Sequence, residues 1–379
     1  MTFKRIQKKI YKLFIFCLLF LIMAIKEDPK KMKCKAEMKT DVLPQFFSVN
    51  QDAVIKKLGP QALIECFQQM LKIRNFELRA ESAYQQGKIG GFFHAYVGQE
   101  AIQTAAVQAI GQSNWYATSY RCHALALLLG ATPNELMAEL YGRATGNAKG
   151  RGGSMHFFTD RLLGGFGIVT GQVPIATGAA FALKYKGNKN EVAVCFMGDG
   201  AVPQGSFHES LNLASLWNLP CIYVIENNQW GMGTAIQKAV SVKRLAEDKA
   251  SGYNMKAYTL DGMDFFNCYG GFAQIHQEVL QRQRPVLVEV VTERFKGHSI
   301  SDPGLYRAKD NLKQIMAKDP ILALQAVLIK KGILTEDMVK QMNKETREKI
   351  IEAMSFAENS PWPDPQTLEE DVFAPNFIV

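Results

Sequence analysis

The stretch GDGAVPQGSFHESLNLASLWNLPCIYVIENNQW, Gly198–Trp230, decides the fold of this chain. An apolar run, Val192–Met197, comes directly before it, and a second apolar run, Cys221–Ile225, lies near its end. The residues between the two runs form a helical segment, so the pattern predicts strand, turn, helix, strand and turn. Because a right-handed crossover brings both turns to the same edge of a parallel sheet, the side chains of Asp199 and Asn228 are expected to converge.

The two converging side chains are of a kind that binds a hard divalent cation. A carboxylate oxygen of Asp199 and an amide oxygen of Asn228 suit Mg²⁺, which usually also keeps water molecules and phosphate oxygens as ligands. Gly200 allows the backbone to turn close to a phosphate, and Gly198 is expected to do the same. Taken alone, these residues are more typical of a surface turn, with the asparagine pair as a helix or turn cap.

Strands and helices alternate on both sides of this unit. A helix is predicted over Val173–Lys186, and a strand, a helix and a strand are predicted over Lys256–Leu260, Phe265–Arg284 and Val286–Val291. Such alternation is typical of an α/β protein whose parallel sheet is covered by helices on both faces. No GxGxxG fingerprint joins a first strand to a helix, which disfavours a nicotinamide-binding Rossmann enzyme.

Helical additions are predicted at both ends of one α/β domain. Residues 1–58 are predicted to form an N-terminal extension and flexible lead-in, 59–360 the main domain with its C-terminal helices, and 361–379 a tail. Nine glycines in Gly142–Gly171 indicate a functional or mobile segment. Periodicity and end signals predict further helical segments: Gln61–Gln86, stopped by Gly90 and Gly91; Gln99–Ile110; one capped by Asn134 and running through Tyr141; and Asp319–Glu358.

The formal charge of +8 is concentrated near the N-terminus. Residues 1–44 hold eleven Lys and Arg against four Asp and Glu, so the rest of the chain is nearly neutral and shows no nucleic-acid signature. Basic residues of Lys4–Lys12 precede the apolar segment Leu13–Ile25, which is short for a membrane span. Three interpretations stay open: an over-long start with initiation near Met32 or Met38, a membrane-associating anchor, and a cleaved targeting segment.

The cysteines show neither a CxxC pair nor a zinc-binding spacing. We therefore expect them to be small buried hydrophobic residues in a reducing compartment. They are Cys17, Cys34, Cys66, Cys122, Cys195, Cys221 and Cys268.

Seven strings in order resemble the alpha subunits of the thiamine-diphosphate-dependent 2-oxoacid dehydrogenases. GDG followed after 26 residues by NN is similar to the cofactor signature of that class. The resemblance extends from about Leu63 to about Arg307 and implies a thiamine-diphosphate-binding fold. The other strings are HAYVGQEAI (94–102), YRCH (120–123), GRGGSMH (150–156), GIVTGQVP (167–174), ENNQWGMGT (226–234) and GHSISDPGLYR (297–307).

The resemblance assigns cofactor-binding roles to individual residues. It implies Mg²⁺ ligands from Asp199, Asn228 and the main-chain carbonyl of Trp230, where the family often has Tyr. It places Arg121 on the diphosphate, as suits a planar fork of donors, with Tyr120 beside it. The remaining expected cofactor contacts are Gly200 and Ala201 beside the metal, Gly167 and Val169 along the aminopyrimidine, and His298.

His94 and His298 are the expected catalytic residues. Imidazole titrates near neutral pH, so it can donate to a keto oxygen or hold a carboxylate. Ser299 and Ser301 are serines of a loop that is phosphorylated in some members of the family, which would add charge beside the site. For each histidine, a purely structural role is the alternative.

One part of the expected site is missing from this chain. Chemistry of this cofactor class needs a carboxylate beside the pyrimidine ring, and no Glu here fits the family pattern for it. The resemblance therefore implies a beta subunit in an α₂β₂ assembly, and a lipoyl-bearing acyltransferase as acceptor. Reduced lipoyl carriers favour the cytoplasm, and membrane association is not expected.

The expected activity is oxidative decarboxylation of a 2-oxoacid with transfer of the acyl fragment to a lipoyl group. TGQVP (170–174) and SDPGLYR (301–307) favour pyruvate. Acetoin and branched-chain 2-oxoacids stay open as substrates, and a catalytically silent assembly subunit is the alternative of another class.

Overall fold

The computed structural model describes residues 44–307 and 309–371. The segment Leu13–Ile25, on which the three N-terminal interpretations rest, lies outside the described residues, as do Cys17 and Cys34. Among the helices that are described, none combines the length and the apolar character needed to cross a membrane.

A six-stranded, fully parallel sheet forms the centre of the fold, which confirms the predicted α/β class. The strands are β1 Trp115–Ser119, β2 Leu162–Phe166, β3 Ala193–Gly198, β4 Cys221–Asn227, β5 Trp230–Gly231, β6 Thr234–Ala235, β7 Lys256–Asp261 and β8 Val286–Val291. The order of strands in the sheet is β2-β1-β3-β4-β8-β7. Strands β5 and β6 form a separate antiparallel ribbon after the turn that carries Asn228.

Helices cover both faces of the sheet because the central strands are apolar on both sides. In β3, Val194 and Phe196 belong to one hydrophobic core, whereas Ala193, Cys195 and Met197 belong to a second core on the other face. Alternate residues of a strand point to opposite faces, so a continuous apolar run requires two covering layers.

Two of the predicted helices agree closely with the structure. The predicted Val173–Lys186 and Gln99–Ile110 each lie within one residue of an observed helix at both ends. The helices are α1 Gln51–Gln85, α2 Glu100–Ile110, α3 His123–Leu128, α4 Pro133–Leu140, α5 Gln172–Tyr185, α6 Gly205–Leu216, α7 Ile236–Ala239, α8 Leu245–Ala250, α9 Phe265–Arg282, α10 Lys309–Met316, α11 Pro320–Lys330 and α12 Glu336–Asn359.

The lead-in predicted to run to residue 58 is already helical from Gln51. Asn50 caps α1 by accepting a hydrogen bond from the backbone N–H of Ala53 at 3.0 Å. A kink follows at Gly59, whose φ of 72° interrupts the helix before Pro60. At its other end α1 stops at Gln85, because Gly87, with φ of 74°, takes the left-handed conformation that Gly90 and Gly91 were expected to provide.

Three further boundaries differ from the sequence prediction. Thr132 caps α4 in a reciprocal capping box with Glu135, so Asn134 lies in the first turn and is not the cap. The predicted continuous helix Asp319–Glu358 is two helices, α11 and α12, separated at Gly332, whose φ is 69°. Helix α9 ends at Arg282 because Gln283 adopts a left-handed conformation.

Strands β1 and β2 were not predicted. β2 reads LLGGF and lies inside the glycine-rich segment, where two adjacent glycines hide the alternation of a strand. A Cβ on Gly165 would lie 2.6 Å from the Cys122 sulfur, so close packing demands a glycine there. Cys122, like the other four described cysteines, is buried and free.

Candidate active site

A cavity of about 910 Å³ opens where the parallel strands end. Its wall contains all the residues that the sequence predicted for the site. They are His94, Tyr120, Arg121, Gly167, Val169, Asp199, Gly200, Ala201, Asn228, Trp230 and His298. Ligand sites of parallel α/β sheets commonly lie outside the carboxyl ends of the strands.

Asp199 and Asn228 converge because their strands are in register. Gly198 of β3 pairs with Glu226 of β4, so Asp199 and Asn228 follow directly at the same sheet edge. The Asp199 side chain is only 1 % exposed, and its Oδ2 atom has no hydrogen-bond partner among the described residues. Burial raises the pKa of Asp199 to about 6, against the opposing effect of Arg294 and backbone N–H groups.

Two hydrogen bonds fix the orientation of the Asn228 side chain. Its Nδ2 donates to Oε1 of Gln99 at 3.2 Å, and its Oδ1 accepts from the Trp230 N–H at 3.3 Å. The neighbouring Asn227 donates to Glu289 at 2.7 Å and is not part of the cavity wall. Gln99 is thus a supporting residue that the sequence reasoning missed.

The two glycines that flank Asp199, Gly198 and Gly200, have different surroundings. A Cβ on Gly200 would lie 3.3 Å from the Cα of Gly231, which is a tight approach of two backbones. A Cβ on Gly198 would meet no protein atom within 4 Å, and Gly198 lines the cavity, so the expected close approach of its backbone to a phosphate stays a prediction.

Arg121 is buried beside Tyr120, but its donors are partly used within the protein. Nη1 donates to the Ala95 carbonyl at 2.7 Å, and Nη2 donates to the His298 carbonyl at 2.6 Å. The guanidinium therefore ties the loop of His298 to the segment that carries His94. Its remaining N–H groups are the ones left for an anion in the cavity.

Arg294 is a second buried guanidinium in the cavity wall, and the sequence reasoning missed its role. It is 1 % exposed, and it forms no ion pair among the residues that the structure describes. Nη2 donates to the Tyr306 hydroxyl at 2.6 Å and Nε to the Lys296 carbonyl at 3.2 Å. Burial and the nearby Arg121 lower its pKa to about 10.

His94 and His298 form an aromatic cluster with Tyr120. The centroid of the His94 ring lies 4.3 Å from that of Tyr120 and 5.0 Å from that of His298. Burial, followed by the charge of Arg121, lowers the pKa of His94 to about 2 and that of His298 to about 4. Both imidazoles are therefore neutral at pH 7 in the protein alone.

Lowering the pH is expected to destabilise the protein through His94. Its pKa is about 2 in the folded chain, against the ordinary histidine value of 6.5 that applies to the unfolded chain. The unfolded chain binds the proton more readily, so this contribution to stability is fully present above the unfolded pKa. It is lost as the pH falls, by about 2 kcal/mol at about pH 5.

Urea unfolding of the wild type and of His94→Gln at about pH 7 and about pH 5 measures this contribution. The variant is expected to lose about 2 kcal/mol of the pH dependence. An unchanged pH dependence in His94→Gln would show that the histidine protonates freely in the folded protein.

Gly167 and Val169 lie in the wall formed by the end of the glycine-rich segment. A Cβ on Gly167 would lie 3.3 Å from Nε2 of His156 and 3.5 Å from Cε of Met155, so this wall is closely packed from behind. The Val169 side chain is 43 % exposed, which leaves it free to contact a ligand or a partner chain.

Asp302 organises the loop that carries His298, Ser299 and Ser301. Its carboxylate accepts from the His298 N–H at 2.6 Å, the Tyr306 hydroxyl at 2.6 Å and the Gly304 N–H at 2.8 Å. Both serines face the cavity, and their hydroxyl oxygens are 3.0 Å apart. A phosphate on either serine would place its charge at the cavity wall.

The cavity wall contains one further buried carboxylate, Glu226. Tyr96 and Gln103 donate to it, the latter at 3.2 Å, and burial raises its pKa to about 7. In the described part of the chain, no group of three or more His, Cys, Asp or Glu side chains could hold a metal. The predicted Mg²⁺ ligands, one carboxylate, one amide and one main-chain carbonyl, are not a set of that kind.

Comparisons with known proteins agree with the resemblance read from the sequence. The family model described as "Dehydrogenase E1 component" matches residues 68–366. The pyruvate dehydrogenase E1 component subunit alpha of Rickettsia felis is 42% identical over 322 residues, which covers 84% of this chain and 98% of the relative.

Two more distant relatives carry similar names. The pyruvate dehydrogenase E1 component subunit alpha of Rhizobium meliloti is 40% identical over 82% of this chain and 89% of the relative. The subunit alpha-3, chloroplastic, of the same component from Oryza sativa subsp. japonica is 36% identical over 92% of this chain and 84% of the relative. With a converged site at the edge of a parallel sheet and a family match over most of its length, the chain belongs to the dehydrogenase E1 component family.

Proposed function

We propose that this chain is the alpha subunit of a pyruvate dehydrogenase of the acetyl-transferring kind. With a beta subunit it would use thiamine diphosphate and Mg²⁺ to decarboxylate pyruvate and acetylate a lipoyl group, leading to acetyl-CoA and CO₂ overall. The names of the relatives at about 40% identity support the substrate. The Oδ2 atom of Asp199 is buried, has no hydrogen-bond partner among the described residues, and belongs to a side chain at the same sheet edge as Asn228; this is the observation that carries the proposal.

The residues present fit the proposed metal. A buried carboxylate oxygen without a hydrogen-bond donor is costly in a protein unless a cation compensates it. Asp199, the Asn228 amide and the Trp230 carbonyl are hard oxygen donors of the type that Mg²⁺ prefers. The close approach of Gly200 to Gly231 leaves backbone without side chains beside this carboxylate.

The residues around the metal site also fit the proposed cofactor. Tyr120 and Arg121 would hold the diphosphate with Gly200, Ala201 and His298, because one divalent cation does not neutralise all its charge. Gly167 and Val169 would contact the aminopyrimidine half. When bound, thiamine diphosphate supplies a nucleophilic carbon and stores the electrons released by decarboxylation.

His94 and His298 would act on the substrate as neutral hydrogen-bond donors. Arg294 has only donors, and its Nη1 lies 3.5 Å from Nδ1 of His298, which places the imidazole hydrogen on Nε2. That hydrogen can point at the carboxylate or keto oxygen of a 2-oxoacid. The guanidinium of Arg294 adds a positive charge that favours an anionic substrate.

The proposed partner is a pyruvate dehydrogenase beta subunit in an α₂β₂ heterotetramer, and it would supply the missing carboxylate. A patch of exposed apolar side chains on α5 and α6 supports a partner of this chain. Phe181 stacks on Tyr185 and packs on Trp217, with ring centroids 6.2 and 5.4 Å away. This α5–α6 patch consists of Ile175, Phe181, Tyr185, Leu213, Leu216 and Trp217.

Phe181→Glu is expected to weaken assembly with the beta subunit by about thirtyfold or more, because it places a charge in the centre of the α5–α6 patch. Sedimentation of mixed subunits measures the effect. The matched control is Leu322→Glu on α11, whose side chain is also largely exposed. Equal weakening by both substitutions would show that the α5–α6 patch is not part of the interface with the beta subunit.

The lipoyl acceptor would be carried by the acetyltransferase component of the same complex. We place the protein in the cytoplasm, where lipoyl groups are kept reduced, and we retain the proposed division into an extension (1–58), a cofactor-binding domain (59–360) and a tail (361–379). The burial of all five described cysteines is compatible with a reducing compartment.

Steady-state turnover by the purified α and β subunits tests the proposed function. Pyruvate should give the highest kcat/KM, with acetoin and branched-chain 2-oxoacids as competing substrates. Calorimetry with thiamine diphosphate and Mg²⁺, on α alone and on α with β, separates an enzyme from a silent assembly subunit. A protein that binds neither way would be a scaffold.

A further inference from the structure

Glu139 is a buried carboxylate that the proposed function does not use. It lies at the penultimate position of α4, is 0% exposed, and forms no ion pair with any residue that the structure describes. Burial of a charged group without a cation requires several hydrogen-bond donors.

Four backbone N–H groups of the glycine-rich segment converge on this carboxylate. Ala148 and Gly150 donate to its Oε2 at 2.7 and 2.9 Å. Gly152 and Gly153 donate to its Oε1 at 2.7 and 3.1 Å. The loop of residues 146–153 thus wraps around Glu139 in the way that a backbone nest wraps around a bound anion.

The glycines of this loop are needed for that arrangement. A Cβ on Gly146 would collide with the side chain and backbone of Glu139. Gly150 has φ of 78°, and a Cβ there would lie 2.8 Å from the Gly142 carbonyl oxygen. On Gly152 it would lie 2.7 Å from the carbonyl oxygen of His156. The sequence GNAKGRGG is therefore shaped to enclose a carboxylate.

The loop leads directly into the wall of the cavity. Ser154 follows the loop, and its carbonyl accepts a hydrogen bond from Nε2 of His123 at 2.9 Å. His123 lies two residues after Arg121 in the sequence. Met155 lines the cavity, and together with His156 it supports Gly167 from behind. A change in the conformation of the loop would consequently move the part of the wall, at Gly167, where the aminopyrimidine is proposed to lie.

We propose that Glu139 is a positioning residue. Its carboxylate serves as an internal anion that shapes residues 146–153, and through them it holds Met155 and His156 against the Gly167 wall. The residue does not touch the cavity and acts only through this loop. Its effect on the cofactor rests on the proposed function, whereas its effect on the loop does not.

Glu139→Gln tests the proposal, because an amide has one acceptor oxygen and its NH₂ group would face two of the backbone donors. In the full-length chain, hydrogen exchange of the peptide covering 146–156 is expected to accelerate by about tenfold or more. In the assembled enzyme, the KM for thiamine diphosphate should rise by about tenfold, while kcat at saturating cofactor changes by less than about twofold.

Glu135→Gln is the matched control on the same helix. It removes the charge of the side chain that accepts from the Thr132 N–H at 2.8 Å, and so alters the cap of α4 without touching the loop. It should leave exchange of 146–156 and the KM for the cofactor unchanged. Glu139→Asp keeps the charge on a shorter side chain, and it should show the same split between KM and kcat with smaller changes.

The two possible failures can be told apart. A wild-type assembly that turns over no 2-oxoacid would refute the proposed function, but the exchange measurement would still decide the role of Glu139. Unchanged exchange in Glu139→Gln, or equal changes in Glu135→Gln, would overturn the inference. A loss confined to kcat in Glu139→Asp would overturn it as well.

Discussion

Replacing Asp199 with alanine is expected to abolish Mg²⁺-dependent uptake of thiamine diphosphate, and turnover with it. The substitution removes the only charged side chain among the three proposed protein ligands of the metal. Loss of one partner of a buried charge pair costs about 3–5 kcal/mol, which corresponds to a fall in affinity of between about a hundredfold and about four-thousandfold. Calorimetry with both ligands, on α assembled with β, measures this loss.

The same substitution is not expected to destabilise the protein without cofactor. The Oδ2 atom of Asp199 is buried and makes no hydrogen bond among the described residues. Removing a buried, unsatisfied polar group relieves its desolvation cost, so the midpoint of thermal unfolding should stay the same or rise. A binding residue and a residue needed for folding therefore give opposite results in this experiment.

Asp248→Ala is the control for the loss of an aspartate. Asp248 forms an ion pair with Arg244 at 3.0 Å on the surface of α8, far less buried than Asp199. Coenzyme uptake by Asp248→Ala should match that of the wild type. Undiminished uptake by Asp199→Ala would refute the metal site and the function proposed from it.

The convergence of Asp199 and Asn228 could be predicted because it follows from topology alone. Two apolar runs joined by a helix give parallel strands, and the ends of parallel strands meet at one edge. The register of β3 and β4 then fixes the two turns side by side. Motif strings added the other cavity residues, since each string lies at or near the end of a strand or in a loop beside the site.

Arg294 could have been found by the same rule, because it follows β8 by three residues and so lies at the same sheet edge. What the sequence could not show is that its guanidinium is buried and has no ion-pair partner in the part of the chain that the structure describes. The burial depends on contacts with the Tyr306 hydroxyl, 12 residues later in the chain, and with the Met232 carbonyl, 62 residues earlier.

Glu139 and strand β2 were missed for a different reason. Among the described residues, the carboxylate of Glu139 accepts only from backbone N–H groups. Every residue except proline has such a group, so side-chain identities do not reveal these donors. In β2, glycines are present because Cys122 and the Met155 carbonyl approach closely, at 2.6 and 2.5 Å from a Cβ built on Gly165. The glycines of such a segment thus reflect close tertiary contacts, which the periodicity of the sequence does not reveal.

His298→Ala is expected to lower kcat/KM for pyruvate by between about a hundredfold and about ten-thousandfold, the range usual for a positioned hydrogen-bond donor or general acid. The loop should keep its shape, because the His298 backbone is held by Arg121 at 2.6 Å and by Asp302 at 2.6 Å. His208→Ala on α6, whose side chain contacts Tyr253, is the control and should retain full activity.

The titration of His298 gives a readout that separates a site residue from a structural one. In the chain alone, burial and the charges of Arg121 and Arg294 hold its pKa at about 4. A bound diphosphate would offset those charges, so inorganic pyrophosphate is expected to move the NMR titration of the imidazole upward, towards its usual range. If the pKa did not move while pyrophosphate bound, the anion would lie elsewhere, and a kinetic loss in His298→Ala would then reflect contact with the substrate alone.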